Sequence, residues 1–207
     1  LADETATGGT IDFETVVSTT AGQTAIAPGD LIKTWTKGGR AYFSYRSSQK
    51  ILPVIAYFSG KYAVKKEMYK GTSIEQYYHP GHDFNVENIA ANTRQTLDYC
   101  MAQFGAYPFR HLRIVEVPAH WNFGGFAHAG TIAMVENRLY LTDQRNPEAF
   151  DLVAKRTIHE VAHQWWGHTL QPRNIAGASL MIEGFAKYTE AVVMEKHHGP
   201  ASLWQLA

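Results

Sequence analysis

Apolar and polar positions along the 207 residues fall into two regimes. Up to about residue 72 they alternate over short stretches. Phe13-Glu14-Thr15-Val16-Val17 and Ala41-Tyr42-Phe43-Ser44-Tyr45 are β-prone by alternation and aromatic content. Residues 51–58 make a nearly continuous apolar run around Pro53, which predicts an edge strand or one opening with a bulge. Gly22, Gly29, Gly38, Gly60 and Gly71 punctuate at turn-like spacing. A small β module ending near Gly71 is expected, with no titratable cluster that suggests chemistry.

Beyond it the period lengthens. Residues 74–78 predict a short strand, which His79-Pro80-Gly81-His82 breaks. Over 85–104, apolar positions such as Val86, Ile89, Leu97, Met101 and Phe104 recur at three and four, so an amphipathic helix is predicted, stopped by Gly105. Residues 111–117 predict a strand closed by Pro118, 122–130 a glycine-containing loop, and 131–135 and 139–141 further strands. Pro147 suits a first helical turn, which predicts a second helix over 148–167. Ser179 can cap a third over 180–197, with Gly199 as the stop, and 201–207 still reads as helix. The fold class expected is α+β: the C-terminal part of a β-rich domain (1–72), then a mixed module of sheet and helices (73–207).

Composition narrows the function. Lys plus Arg and Asp plus Glu both number 19, so no basic excess exists to neutralise phosphates, and a nucleic-acid partner is not expected. With 45% hydrophobic and 13% aromatic residues the chain is no disordered tail. No run approaches the roughly 18 apolar residues of a membrane span. Cys100 is the single cysteine and lies in an apolar run, which reads as a buried thiol. The opening Leu1-Ala2-Asp3-Glu4 has neither Met nor leader, and both ends read as cut from something longer. Histidine stands out, with ten copies.

The second predicted helix carries Thr157-Ile158-His159-Glu160-Val161-Ala162-His163-Gln164-Trp165-Trp166-Gly167, which contains H-E-x-x-H. Four helical residues turn through about 400°, so both imidazoles leave one face a turn apart and can share a zinc ion. Glu160 sits beside the first ring, where it can take a proton from zinc-bound water; this is the layout of metal-assisted amide hydrolysis. Chance alone produces the motif in roughly three such chains per hundred, so context must carry the rest. Val153, Ile158, Val161, Ala162, Trp165 and Trp166 make the helix apolar, and buried rings there need partners. Glu183, near the start of an apolar helix, is the candidate third ligand, the alternative being a favourable charge in a first turn.

These residues resemble the zinc aminopeptidases of the aminopeptidase-N type, within the gluzincins. The run 159–167 is similar to that family's H-E-x-A-H-Q-W-F-G, and Glu183-Gly184-Phe185-Ala186-Lys187-Tyr188-Thr189-Glu190 to its E-G-F-A-x-Y-x-E. Phe104-Gly105-Ala106-Tyr107-Pro108-Phe109 and Ile114-Val115-Glu116-Val117-Pro118 extend the likeness upstream, and residues 13–61 resemble the last strands of the family's N-terminal β domain. The resemblance implies a thermolysin-like catalytic module holding one zinc ion per chain. It implies His159, His163 and Glu183 as ligands, Glu160 as general base and a peptide as substrate.

Three departures qualify it. Nineteen residues, not the usual eighteen, separate His163 from Glu183. The same spacing occurs in bacterial relatives fused to transporter permeases, whose motif resembles Gly177-Ala178-Ser179-Leu180-Met181-Ile182-Glu183, and which imply a membrane-associated whole protein. The family's substrate loop corresponds to Gly124, Gly125, Phe126, Ala127 and His128, with Ala127 where the family has the carboxylate that grips a substrate amine. Glu136 is the candidate substitute anchor and His128 a candidate substrate contact. The family's oxyanion-stabilising Tyr lies beyond Ala207. His168 is expected beside the metal ligands or at the surface, Trp165 and Trp166 in packing, and His79, His82, His111, His120, His197 and His198 in structural or solvent-facing places. Two functions follow: a zinc metallopeptidase, or a non-catalytic zinc-holding peptide-binding domain of a transporter-associated protein. Oligomeric state and compartment are not legible.

Overall fold

The computed structural model describes residues 9–146, 148–172 and 176–204. Strands β1 (Glu14–Thr20), β3 (Asp30–Lys37) and β4 (Arg40–Arg46) form an antiparallel sheet in the order β1-β4-β3, and β2 (Thr24–Ile26) pairs with β5 (Phe58–Gly60). Alternation in β4 turns Phe43 and Tyr45 inward onto Ala25 and Ala27. The strand expected over 51–58 does not form. Ile51 makes one bridge to Ile11, and regular pairing resumes only at Phe58. Pro53 has no N–H to donate, so a ladder cannot run through it.

A second sheet has the order β6-β7-β8-β10-β9, with β6 (Ala63–Tyr69), β7 (Thr72–Tyr78), β8 (His111–Val117), β9 (Gly125–His128) and β10 (Thr131–Val135). Its central pairs β7–β8 and β8–β10 are parallel, and the outer pairs are antiparallel. Helix α1 (Val86–Phe104) makes the long crossover that parallel β7 and β8 require. Every residue of β8 and β10 is buried, because the sheet is covered on both faces. One face packs Leu112, Ile114, Ile132 and Met134 against Ile89 and Leu97 of α1 and against Trp165. The other packs Val115, Val117, Ala133 and Val135 against Ile26 and Phe58 of the β module. The division expected at residue 72 thus falls in the β6–β7 hairpin, and β6 pairs along its length with β7.

Buried charge joins the two parts. Arg113, 3% exposed, places Nε 3.1 Å from Glu75 Oε2 and donates to the carbonyls of Ala27 and Gly29 at 3.3 and 2.8 Å. Beside it His111 Nδ1 stands 3.0 Å from Asp30 Oδ1.

Four local expectations change. The loop expected over 122–130 contains β9, because Ala129 and Gly130, the latter at φ +67°, make a two-residue turn into β10. The strand expected over 139–141 is a turn following a 3₁₀ segment, Glu136–Arg138. The Asn85 amide satisfies the carbonyls of Leu139, Tyr140 and Thr142 there, so no partner strand is needed. Helix α2 (Leu152–Ala162) begins four residues later than predicted, where the Asp151 carboxylate accepts from Ala154 N at 2.8 Å. Pro147 lies outside the described residues. Helix α3 (Ala178–His198) begins before Ser179, capped by Gly177 at φ +91°, and Gly199 ends it as expected. Helix α4 (Ala201–Trp204) bears out part of the helical reading of 201–207; residues 205–207 and the opening Leu1-Ala2-Asp3-Glu4 lie outside the described residues. No described helix is long and apolar enough to cross a membrane.

Candidate metal centre and active site

Helix α2 is buried through Val153, Ala154, Thr157, Ile158, Val161 and Ala162, which point its other side, with His159 and Glu160, at a cleft. It loosens after Ala162: Gln164 N and Trp165 N bond three residues back, at 3.0 Å each. His163 nevertheless keeps helical dihedrals (φ −60°, ψ −18°), so its ring stays on the face of His159. Helix α3 packs on α2 through Val193 and Met194 against Ala154 and Ile158, and this contact brings Glu183 to both rings.

The three donor atoms close a triangle. His159 Nε2 and His163 Nε2 are 3.2 Å apart, and the Glu183 oxygens lie 3.4 Å from the first and 3.5 Å from the second. Three ligands at 2.0–2.1 Å from a tetrahedral zinc ion stand about 3.3–3.4 Å from one another. The donor set and its spacing therefore fit zinc. Each ring turns its other nitrogen towards an oxygen, the usual surroundings of a metal-bound imidazole. His163 Nδ1 is 3.1 Å from the Trp166 carbonyl oxygen. His159 Nδ1 is 3.1 Å from Glu190 Oε2, although the ring N–H does not line up with that oxygen. Glu190 is buried on α3; burial works against its charge, but His159 and Lys187 outweigh it and hold its pKa below the usual value.

Glu160 stands apart from the triangle and lines the same cleft, whose volume is about 500 Å³. Burial lifts its carboxyl to about 7, with His159 opposing and Glu183 reinforcing the shift. A carboxyl at that value can accept and return a proton near neutrality. Opposite it runs β9, the free edge of the sheet. A Cβ on Gly125 would lie 2.8 Å from Glu160 Oε1, so the glycine is what lets the strand approach the carboxylate.

Helix and strand are tied together by two side chains that follow the motif. Gln164 is buried, accepts from Gly130 N at 2.9 Å and donates to the His128 carbonyl at 3.0 Å. His168 Nε2 donates to the Ala127 carbonyl at 2.9 Å. Burial drives the His168 ring pKa down to about 4.

The substrate-loop expectations divide. Gly124, Gly125, Phe126 and Ala127 line the cleft; His128 and Glu136 are not among its lining residues. His128 is 8% exposed and stands 3.2 Å from the Val54 carbonyl oxygen. Glu136 accepts from Ala119 N at 2.8 Å and joins His82 and Glu116 in a second cluster. There His82 Nδ1 is 2.5 Å from Glu116 Oε1, and His79 N donates to the other Glu116 oxygen, so that cluster anchors the turn at 79–82 to β8. Trp165 is buried and donates to the Gly105 carbonyl, while Trp166 packs between Phe104 and Phe185.

Sequence reasoning gives no role of their own to Glu190, Gln164, Leu52 and Val54. Glu190 lies seven residues after Glu183, two helical turns on and hence on the same face, a signal that was available. Leu52 and Val54 reach the cleft across the chain from the apolar run around Pro53, which no local pattern announces.

Residues 89–207 match the Peptidase family M1 domain. Aminopeptidase N of Streptomyces lividans is 30% identical over 121 residues, covering 58% of this chain and 14% of that protein. Aminopeptidase 2 of Candida albicans is 28% identical over 134 residues, covering 64% and 14%. Aminopeptidase N of Acetobacter pasteurianus is 29% identical over 100 residues, covering 47% and 28%. The chain thus spans a small part of the length of these relatives. Because the family match takes in more than half of the chain, including both helices that hold the donor triangle, the chain belongs to peptidase family M1.

Proposed function

We propose that the protein containing this chain is a zinc-dependent peptidase, aminopeptidase-like in its machinery, that hydrolyses peptide bonds at the His159–His163–Glu183 centre. The observation that carries the reading is the donor triangle of 3.2, 3.4 and 3.5 Å, matched to the edges of a tetrahedral zinc site. Zinc bound there supplies a Lewis acid and lowers the pKa of a coordinated water. Glu160 takes the proton released as the amide carbon is attacked and returns it to the leaving nitrogen. Gly125 keeps β9 close enough to hold a substrate chain against that carboxylate. The place of Glu160 in the cleft beside His159, in a chain of peptidase family M1, supports a catalytic reading over a domain that only holds peptide.

The proposal includes a thermolysin-like module over 73–207 preceded by the end of a β domain over 1–72, with β6 reaching across that division into the module's sheet. It also includes descent from the branch associated with transporter permeases, on the nineteen-residue spacing and the 177–183 motif. Glu160 and Glu183 are the only carboxylates among the described residues lining the cleft, so a free substrate amine finds no carboxylate there beyond the base and a ligand. The assay therefore pairs a free-amine peptide with its N-acetylated form.

The test uses the full-length protein. Elemental analysis should find about one zinc per chain, lost on His159→Ala. Glu160→Gln should keep the zinc and lose on the order of 10³-fold or more in kcat. Zinc absent from chelator-free protein, or undiminished turnover in Glu160→Gln, would sink the proposal.

A further inference from the structure

Lys187 has no part in the chemistry described so far, and the resembling motif leaves its position open. It lies on α3 four residues after Glu183 and three before Glu190. Its side chain is 56% exposed, yet its ammonium turns inward and donates to Glu190 Oε2 at 2.9 Å. The same oxygen stands 3.1 Å from His159 Nδ1. Glu190 itself is 1% exposed. A solvent-side cation and a partly buried imidazole thus meet on one atom of a buried carboxylate.

We infer that Lys187 is a positioning residue of the metal centre: it fixes the Glu190 carboxylate so that Oε2 faces His159 Nδ1 and holds the His159 ring in its ligating orientation. The inference rests on the zinc reading above. The terminal torsion of a glutamate is broad and nearly two-fold, so packing alone orients a carboxylate weakly. A charge-assisted bond is directional and stronger than a neutral one. The margin is small here, because the His159 N–H is already out of line with Oε2. A carboxylate released from Lys187 can rotate further from the ring, and partners of this kind commonly alter metal affinity by about 10- to 100-fold. The ammonium adds no ligand, and Lys187 is not among the residues lining the cleft; its hydrogen bond reaches the ring through one oxygen atom.

The experiment measures zinc affinity of the full-length protein by competition with a chelator, independently of turnover. Lys187→Met should weaken zinc binding about tenfold, and Lys187→Arg, which keeps a donor to Glu190, should restore most of it. In a Glu190→Gln background Lys187→Met should have no further effect. The melting temperature of the zinc-free protein should be nearly the same with and without Lys187→Met, since the side chain is half-exposed. Unchanged or tighter zinc binding in Lys187→Met overturns the inference. So does an equal loss in the Glu190→Gln background, which would show that Lys187 acts by another route. A wild-type protein that binds no zinc overturns the metal reading and this inference with it, a result distinct from a bound zinc indifferent to Lys187.

Discussion

Gly125→Ala tests whether the approach of β9 to α2 sets the geometry of Glu160. The backbone of Gly125 is outside the left-handed region, so alanine brings no dihedral strain. Its Cβ, however, would lie 2.5 Å from Met134 Sδ, 2.8 Å from Glu160 Oε1 and 3.0 Å from Glu160 Cδ. Ordinary contacts lie at roughly 3.5 Å, so each neighbour must give by about half an ångström or more. The Met134 thioether is unbranched and can swing aside. The Glu160 carboxylate, confined between helix and strand, must rotate or be pushed along the cleft. Since a displacement of about 1 Å in a catalytic group can cost about 100-fold, a shift of half that size should lower kcat about tenfold. Stability should fall by up to about 2.5 kcal/mol: crowding costs about 1–3 kcal/mol, offset in part by the 0.4–1 kcal/mol, roughly, that a less flexible unfolded chain returns. The proposed zinc ligands are untouched, so metal content should stay at the wild-type level. Steady-state kinetics beside elemental analysis decide the matter. Full kcat with zinc bound would show that Gly125 does not position the base.

Two further perturbations probe the frame around the site. Burial first, with the His128 and His163 rings adding to it and the Ala127 bond opposing, depresses the His168 pKa to about 4, below an unfolded value near 6.5. As pH falls through this window the unfolded chain takes up the proton first, so stability present above about pH 6.5 is lost towards pH 4, by about 3 kcal/mol. Urea unfolding of wild type and His168→Asn at pH 7 and pH 4.5 should show that difference shrinking; a gap independent of pH would refute the assignment. Arg113→Met should destabilise by about 3 kcal/mol, because it leaves Glu75 buried without its principal cation. Denaturant melts of both proteins check this, and a loss under about 1 kcal/mol would mean that Lys66, 3.3 Å from Glu75, carries the charge instead.

Some of the molecule is decided by local pattern. The three-and-four period of 85–104 specifies α1, the buried runs specify β8 and β10, and H-E-x-x-H on a helix puts two rings on one face wherever that helix sits. These depend on helical and strand periodicity, which neighbours in the chain determine. Other features wait on contacts between distant segments. β9 is a strand because β10 offers a ladder to a glycine pair that reads as loop. The run around Pro53 is no strand, because a residue without an N–H interrupts the pairing, and it supplies Leu52 and Val54 to the cleft instead. Glu136, a plausible anchor by register, is held by Ala119 N near His82 and Glu116, outside the cleft lining. By itself, then, the sequence determined the candidate ligands, the candidate base and the helices that carry them. Only the tertiary structure decided that α3 packs on α2 to close a triangle of 3.2–3.5 Å, and that a glycine brings β9 against Glu160. The reason is physical: periodicity places a side chain on a face, but the distance between two faces is set by what packs between them.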